Sequence, residues 1–348
     1  MILILADEKD AHVPYVTRRL DAHGRQYFHF DPQHFPAKTR FSIDYSRSGT
    51  VHRILSHPRS EIDLSRVRAV WNRARVRPVA EASVDDEQKW WVAEGCSRWL
   101  AELWECLDCL WLPNRPLADR DPHRFFDSLD RTRQPAQPPR LRAPSGYNKL
   151  HQLTVASRLG FAIPRTLVTN SPERFLEFYE ECRGQLVSKT TNPLRTARDG
   201  EKREAYTYRV QRRDAANYQA IRYAPVVFQE QVPKKLELRV TVVGDRVFPV
   251  AIQSQESRML SQDWRHFQDF APSRYYSVYA LPAKIERRCA RLVSNLGLCF
   301  GAIDLILTPQ QEYVFLEVNP NGQWAWIEDF TGLPISEAVA ELLIRGHV

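Results

Sequence analysis

Two apolar stretches that contain acidic residues decide the fold: GAIDLIL at residues 301–307 and FLEVNPNG at residues 315–322. Their composition and spacing predict two neighbouring strands joined by a tight turn. A turn centred at residues 310–311 would place Asp304 directly opposite Glu317 in an antiparallel ladder, with Cβ atoms about 4.5–5.5 Å apart. The two carboxylates are therefore expected to lie on one face of the sheet.

Acidic side chains within apolar strands are unfavourable unless a cation or a polar partner compensates them. Asn319 follows Glu317 by two residues and shares its face of the strand. Two carboxylates and an amide oxygen suit Mg²⁺, which takes hard oxygen ligands and is shared with substrate phosphates. The alternative is a pair of surface carboxylates on a half-exposed sheet. The spacing favours a metal site formed by Asp304, Glu317 and Asn319.

A second candidate for a functional site lies in the predicted strand LELRV at residues 236–240. The later Gly244-Asp245 predicts a two-residue hairpin turn that joins this strand to the next. Alternation places Glu237 and Arg239 on one face, so a carboxylate suited to ribose hydroxyls stands beside a guanidinium suited to phosphate or carboxylate. An ordinary ion pair explains the same residues, and this pattern alone favours the ion pair.

Two lysines stand in contexts that predict order. Lys149 opens a predicted helix, and Lys189 ends a predicted strand just before a polar stretch at residues 190–217, which we interpret as a flexible loop. A lone lysine is usually solvated, so neither residue indicates a site alone. The order along the chain is more informative: two lysines, a loop, a strand with Glu-x-Arg, and then the acidic strands.

The first third of the chain predicts a separate small unit. Short apolar strands alternate with helices there, which favours a parallel α/β arrangement. The Trp-rich residues 84–110 predict one long aromatic helix. Residues 115–145 are rich in arginine and proline, and we interpret them as a linker or insertion that marks the first domain boundary.

Composition sets broad limits on function. The chain has 348 residues, which predicts two to three subdomains. No apolar run approaches the roughly 20 residues of a membrane helix, and the first strand lacks a basic leader, so we expect a cytoplasmic protein with no membrane partner. The net charge of +7 comes from dispersed arginines. Charge alone therefore does not decide between nucleic acid, phosphates and an acidic peptide as partners.

The order of motifs over residues 145–345 resembles the ATP-grasp superfamily. The resemblance implies an α/β fold with a two-part ATP-grasp unit that holds the nucleotide between two sheets, and it implies ATP and Mg²⁺ as cofactors. By this resemblance, Lys149 and Lys189 bind the nucleotide phosphates, and the backbone of the hinge Gln229-Glu230-Gln231-Val232 binds adenine. Glu237 binds ribose or helps to position the substrate. The metal ligands are Asp304, Glu317 and Asn319, and Arg239 stabilises the acyl phosphate. Arg239 and Lys189 are then the catalytic residues.

Further motifs support a narrower resemblance. They are Val70-Trp71-Asn72-Arg73, TLVTN at residues 166–170 and LEVNPNGQW at residues 316–324. They resemble the microviridin-type (graspetide) peptide macrocyclases, which carry a pre-ATP-grasp domain. The resemblance implies a ligase that phosphorylates Asp or Glu side chains of a ribosomal precursor peptide, which Ser, Thr or Lys side chains then attack to form ester or amide crosslinks. The family usually has Trp-Tyr-Arg-Arg-Pro where this chain has WNRARVRP at residues 71–78, and this departure bears on the substrate more than on the fold.

The resemblance also implies a division of the chain. The expected parts are a pre-ATP-grasp α/β domain at 1–114, the linker at 115–145, a central ATP-grasp subdomain at 146–228 and a C-terminal subdomain at 229–348. The implied partner is a precursor peptide with a leader and a core, without nucleic acid, and a homodimer stays open. The alternative is another ATP-grasp ligase, which adds amino acids to a peptide terminus or joins small metabolites. The stretch 190–217 would serve as a lid over the nucleotide phosphates. No residue in the sequence stands out as a general base.

Overall fold

The computed structural model describes residues 1–48, 51–57, 60–74, 77–114, 148–189, 195–198, 201–204, 208–256 and 273–348. The helices are α1 Val13–Ala22, α2 Asp86–Glu105, α3 Lys149–Arg158, α4 Pro172–Glu181, α5 Arg212–Ala216, α6 Ala283–Asn295, α7 Ala325–Thr331 and α8 Ile335–Arg345. The strands are β1 Ile2–Leu5, β2 Tyr27–Phe30, β3 Arg40–Tyr45, β4 Val51–His57, β5 Ser60–Asp63, β6 Ala69–Asn72, β7 Leu110–Leu112, β8 Thr166–Thr169, β9 Leu186–Lys189, β10 Arg195–Arg198, β11 Glu201–Glu204, β12 Tyr208–Arg209, β13 Val226–Glu230, β14 Leu236–Val243, β15 Arg246–Ile252, β16 Tyr276–Val278, β17 Phe300–Leu307 and β18 Tyr313–Asn319. The predicted linker at 115–145 lies outside the described residues.

The N-terminal unit is built on a parallel sheet in the order β2-β1-β6-β7. All four residues of β1 are buried, as expected for a parallel strand covered on both faces. Ile2 and Ile4 pack in a cluster with α1 and the C-terminal helix α8, whereas Leu3 and Leu5 pack with α2. The predicted parallel arrangement is confirmed, and its core is continuous with the C-terminal part of the chain.

The predicted aromatic helix at 84–110 is partly wrong. Helix α2 ends at Glu105, and Leu110–Leu112 instead form the edge strand β7, which pairs in parallel with β6. The helix buries Leu103 and Trp104, but Trp91 is 70% exposed. The apolar run therefore serves two elements, because its last residues complete the sheet. The antiparallel sheet β3-β4-β5 beside α2 was not predicted.

The central unit is an antiparallel sheet in the order β12-β9-β13-β8 with α4 packed on it. The Ser171 side chain caps α4 by accepting a hydrogen bond from Arg174 N at 3.2 Å. The flexible loop predicted at 190–217 is partly wrong, since its described residues form the β10–β11 hairpin, β12 and α5. Polar sequence does not exclude strands, because β12 gains its backbone partners from β9.

The C-terminal unit is a five-stranded antiparallel sheet in the order β16-β15-β14-β17-β18. The predicted hairpin between β14 and β15 is confirmed, and Gly244 supplies the left-handed conformation of its turn with a φ of 59°. The chain enters this sheet from β13 through residues 231–235, so one short segment joins the central and C-terminal sheets. Among the described residues, none of the helices is long and apolar enough to span a bilayer.

Candidate active site

The two acidic strands pair as predicted, but the pairing includes a β-bulge that was not predicted. Asp304 lies opposite Glu317, whereas Leu305 lies opposite Phe315, so the register shifts between Asp304 and Leu305. The β-bulge explains how Phe315 enters the apolar core while Glu317 lies on the other face with Asp304. Without the bulge, Phe315 and Glu317 would share a face. The predicted pairing is therefore confirmed, although the turn alone does not produce it.

Asp304 is held by a buried ion pair. It lies opposite Arg239 on β14, and Arg239 Nη1 donates a hydrogen bond to Asp304 Oδ1 at 2.8 Å. The side chains are only 5% and 11% exposed. A carboxylate in this position needs such a partner, because burial of an unpaired charge is unfavourable by several kcal/mol. The cross-strand ion pair that the sequence left open for Arg239 is thus present, with Asp304 as its partner.

Glu317 is in contact with one of the predicted phosphate lysines. Lys149 Nζ lies 3.2 Å from Glu317 Oε2. Lys149 is the first residue of α3, and the Asn148 side chain caps this helix by accepting hydrogen bonds from Leu150 N and His151 N, each at 3.1 Å. Since the cap fixes where the helix begins, it also places the lysine beside the acidic pair.

Asn319, the third predicted metal ligand, and Lys189, the second predicted phosphate lysine, lie on different sheets. Asn319 lies opposite Ala302 on the face of Asp304 and Glu317, and its Oδ1 accepts a hydrogen bond from Asn321 N at 3.1 Å. An amide oxygen has two lone pairs, so this bond leaves capacity for a cation. Lys189 ends β9 on the central sheet, opposite Val227. Lys189 therefore lies on the central sheet, whereas Lys149 lies beside the C-terminal sheet.

Glu237 is a buried carboxylate on the same face of β14 as Arg239. Its Oε1 lies 3.0 Å from Lys234 Nζ, and its Oε2 is buried without a hydrogen-bond partner among the described residues. Burial raises the pKa of Glu237, although the Lys234 ammonium group opposes this effect. A buried carboxylate oxygen of this kind can accept a hydrogen bond from a hydroxyl group, and the ribose contact of Glu237 stays a prediction.

Glu237→Gln is expected to raise the thermal stability at neutral pH. A carboxyl pKa that is raised in the folded state means that stability is lost as the pH rises above the ordinary value of 4.5. The amide of the variant does not ionise, so the variant does not lose stability in this way. The melting temperature of the variant minus that of the wild type should therefore increase as the pH rises from 4.5. Differential scanning fluorimetry across this pH range measures the effect. A Glu312→Gln control, on an exposed turn residue, should show no such trend, and equal curves for both variants would contradict the prediction.

The predicted adenine hinge joins the two sheets. Gln229 is buried and donates to Thr166 Oγ1 at 3.0 Å, and Glu230 accepts from Arg165 N at 2.9 Å through its carboxylate. These bonds fasten β13 to the start of β8. Gln231 N donates to Gln185 O at 2.8 Å. Within the part of the chain that the structure describes, the Val232 N–H has no such acceptor, so it is suited to an adenine nitrogen.

The loop after β18 is held between the site and the N-terminal unit. Trp324 N donates to His12 Nε2 at 3.1 Å, so the imidazole hydrogen lies on Nδ1 and is donated to Asp10 at 2.9 Å. Arg73 also donates to Asp10, at 2.8 Å. Burial alone would raise the pKa of Asp10, but the bonds from His12 and Arg73 lower it well below its usual range. The N-terminal unit thus orients the segment that follows the acidic strand.

Gly322 is required in this loop by close approach rather than by its backbone angles. A Cβ there would overlap Ala302 and lie 2.7 Å from Arg239 Nη2. Gly322→Ala is expected to destabilise the protein by about 1–3 kcal/mol. It should also lower Mg²⁺-dependent nucleotide affinity, because Arg239 must move and the Asp304 carboxylate that it holds moves with it. Thermal melting and nucleotide titration measure both effects.

The matched control for this substitution is Gly95→Ala in α2. No atom lies within 4 Å of the Cβ that Ala would add there. In a helix interior the change should stabilise by up to about 1 kcal/mol. Equal effects of the two alanines would show that Gly322 has no special role.

Sequence reasoning missed two residues at the site. Gln152 is buried in α3 and bonds to the backbone of Val318, and His12 bonds to the loop as described. A polar residue among the apolar positions of a helix was the available signal for Gln152. For His12 there was none, because its partner Trp324 is 312 residues away in the chain.

Comparison with known proteins extends over the whole chain. The family model of the MvdD pre-ATP-grasp domain matches residues 1–117. The macrocyclase MdnB from Microcystis aeruginosa MRC is 31% identical, with 99% of each chain covered and a TM-score of 0.72. The chain belongs to the microviridin-type ATP-grasp ligases. No curated protein matches it.

Two further solved structures resemble this ATP-grasp ligase. A RiPP-associated ATP-grasp ligase from Chryseobacterium gregarium, in complex with ADP and a leader and core peptide, is 27% identical, with 99% of this chain and 96% of that chain covered and a TM-score of 0.83. The macrocyclase MdnC from Microcystis aeruginosa MRC, bound with precursor peptide MdnA, is 28% identical, with 99% of each chain covered and a TM-score of 0.78. The predicted fold, an α/β protein with a pre-ATP-grasp domain and a two-part ATP-grasp unit, is confirmed.

The site of the ATP-grasp ligase suits ATP and Mg²⁺ chemically. Two carboxylates and an amide oxygen face one side of a sheet, and hard oxygen ligands of this kind are those that Mg²⁺ prefers. Glu237 offers a buried acceptor without a partner, and the hinge offers the Val232 N–H. Lys149 and Arg239 place positive charge beside Glu317 and Asp304, and the assignment of Lys149 and Lys189 to the phosphates stays a prediction.

Proposed function

We propose that this ATP-grasp ligase phosphorylates Asp or Glu side chains of a ribosomal precursor peptide and joins them to Ser, Thr or Lys side chains of the same peptide. The observation that carries the proposal is the contact of Asp304 and Glu317 with Arg239 and Lys149, at 2.8 and 3.2 Å, on one face of the C-terminal sheet. The relatives whose structures contain leader, core or precursor peptides support a peptide substrate.

Each predicted residue has a role in this proposal. Asp304, Glu317 and Asn319 would hold Mg²⁺, which neutralises phosphate charge when it is bound. Lys149 and Lys189 would hold the phosphates, and the hinge Gln229–Val232 the adenine. Glu237 would accept a hydrogen bond from ribose through its free Oε2. These residues supply position and electrostatic stabilisation, which dominate catalysis of phosphoryl transfer.

Arg239 is proposed to bind the substrate carboxylate and its acyl phosphate. Its Nη1 donates to Asp304 Oδ1 at 2.8 Å and its Nη2 donates to Gln323 O at 3.4 Å. A guanidinium has five N–H donors, so it can hold the metal-binding carboxylate and a substrate oxygen together. Because Arg239 is 4% exposed, water is largely excluded from this donor, which favours survival of an acyl phosphate.

The test combines ADP release with peptide mass. The protein would be incubated with ATP, Mg²⁺ and a short peptide that is encoded beside its gene and contains Asp or Glu together with Ser, Thr or Lys. Condensation predicts a loss of about 18 Da for each crosslink, with one ADP released, since each acyl transfer needs one activation. A gain in mass equal to an amino acid would instead support addition to a peptide terminus. ADP release without any change in peptide mass would reject the crosslinking chemistry.

Three predictions from the sequence extend this proposal. The cytoplasmic location, which was predicted from the lack of a membrane-length apolar run, is retained as a proposal, and so is a homodimer. Residues 190–217, which include the paired strands β10 and β11, are proposed to act as a lid.

A further inference from the structure

Gln152 forms an unusual pair of hydrogen bonds with the strand that carries two of the proposed metal ligands. Its Nε2 donates to Val318 O at 2.8 Å, and its Oε1 accepts from Val318 N at 2.9 Å. Gln152 is 1% exposed. Val318 stands between Glu317 and Asn319, so a single side-chain amide saturates the backbone of the residue that connects them.

These bonds substitute for a missing neighbouring strand. Strand β18 is the last in the order β16-β15-β14-β17-β18. Among the described residues, its outer edge pairs with no named strand, and the isolated bridge from Ala162 to Val314 covers only the start of that edge. A carboxamide presents a donor and an acceptor side by side, as a peptide group of a neighbouring strand would. The Gln152 amide therefore continues the ladder by one residue at the position where the proposed metal ligands lie.

The position matters because the pairing on the other edge is irregular. The register shift between Asp304 and Leu305 places a β-bulge just before Glu317. A slip by one residue would turn Glu317 away from Asp304, since successive side chains point to opposite faces. Hydrogen bonds to Val318 from outside the sheet oppose such a slip. Without Gln152, the buried N–H and C=O of Val318 would be left unsatisfied.

The same helix carries Lys149, which contacts Glu317 at 3.2 Å. Gln152 follows Lys149 by three residues, so the two side chains lie on neighbouring positions of one face of α3. Helix α3 thus holds Glu317 through its carboxylate and through the next peptide group. The distance between the lysine and the acidic strand is fixed by two contacts from one rigid element.

We propose that Gln152 is a positioning residue that sets the orientation of Glu317 and Asn319 toward Mg²⁺ and their distance from Lys149. This inference rests on the proposed function of these residues. Gln152 does not touch the nucleotide or the peptide in this proposal, and it acts through the backbone of Val318. Partners that orient metal ligands typically change metal affinity by about 10- to 100-fold when they are removed.

The first test measures the strand itself. Gln152→Met keeps the length and volume of the side chain but removes both hydrogen bonds. Amide hydrogen exchange of the segment 313–319 should become faster, because the Val318 N–H loses its acceptor. The matched control is Val155→Ala, which removes buried apolar volume from the same helix without a hydrogen bond to β18. Equal exchange of this segment in Gln152→Met and the wild type would overturn the proposal.

The second test measures metal-dependent binding of ADP by calorimetry. In the presence of Mg²⁺, Gln152→Met should bind ADP about 10- to 100-fold more weakly than the wild type, whereas binding in EDTA should be unchanged. Val155→Ala should match the wild type in both conditions. If Gln152→Met is insoluble, Gln152→Glu keeps the acceptor for Val318 N but lacks the donor, and it is assessed in the same way.

The outcomes separate the inference from the proposed function. A wild-type protein that binds ADP with no dependence on Mg²⁺ would reject the metal site, and with it the proposed function. A wild type that shows this dependence beside a Gln152 variant of equal affinity would reject only the positioning role. Loss of Mg²⁺-dependent affinity in Val155→Ala to the same degree would also reject it, because general destabilisation would then explain the effect.

Discussion

Glu317→Gln is expected to lower the rate of ATP-dependent ligation by about 10²–10³-fold, the usual effect of removing one well-placed electrostatic group from an active site. The substitution keeps the shape of the side chain and removes its charge. Lys149 then loses its partner at 3.2 Å, and the proposed metal site loses one of two carboxylates. The fold should persist, because an ion pair with a lysine that is 39% exposed contributes at most about 1 kcal/mol.

The measurement is ADP release together with peptide mass, beside a thermal melt. Glu312→Gln is the control, since it makes the same chemical change on the same hairpin at an exposed position before β18. It should retain wild-type turnover and melting temperature. Wild-type turnover in Glu317→Gln would remove Glu317 from the catalytic machinery, and with it the present assignment of the metal site.

The pairing of the acidic strands could be predicted because local patterns determine it. Alternation of apolar residues identifies both strands, and the short connection makes them antiparallel neighbours. Asp304 and Glu317 therefore meet, as the sequence indicated. The bulge could not be predicted, because it reflects the competing burial of Phe315 in the core and of Glu317 near the site. Phe315 and Glu317 are two positions apart and would share a face in a regular strand, yet they lie on opposite faces of the sheet. Only the packing of the folded protein shows that a bulge is needed.

Long-range partners were beyond sequence reasoning for a different reason. Arg239 was expected to form an ion pair or bind substrate, but nothing local identifies Asp304, 65 residues later, as the partner. Strand order decides this contact, since β14 and β17 become neighbours only when the sheet assembles. Gln152 is similar, because its partner Val318 lies 166 positions later in the chain. The roles assigned to these residues by resemblance stay predictions, whereas their positions are now defined.

The largest expected effect on stability follows from the buried pair of Arg239 and Asp304. Arg239→Met should destabilise the protein by about 3–5 kcal/mol, because it leaves the Asp304 carboxylate buried without its guanidinium partner. The Met side chain fills similar volume, so a cavity contributes little. Urea unfolding and differential scanning calorimetry measure the change. Activity should also be lost, since Arg239 is proposed to bind the substrate carboxylate.

A double substitution separates the charge effect from packing. Asp304→Leu added to Arg239→Met removes both charges, and replacing a buried ion pair by apolar groups is often neutral or stabilising by about 1–4 kcal/mol. The double variant should therefore be more stable than Arg239→Met alone, while remaining inactive. A double variant at least as stable as the wild type would mean that the pair is retained for chemistry at a cost in stability. If Arg239→Met were as stable as the wild type, Asp304 would have to be held by another group, and the proposed sharing of one guanidinium between metal ligand and substrate would be wrong.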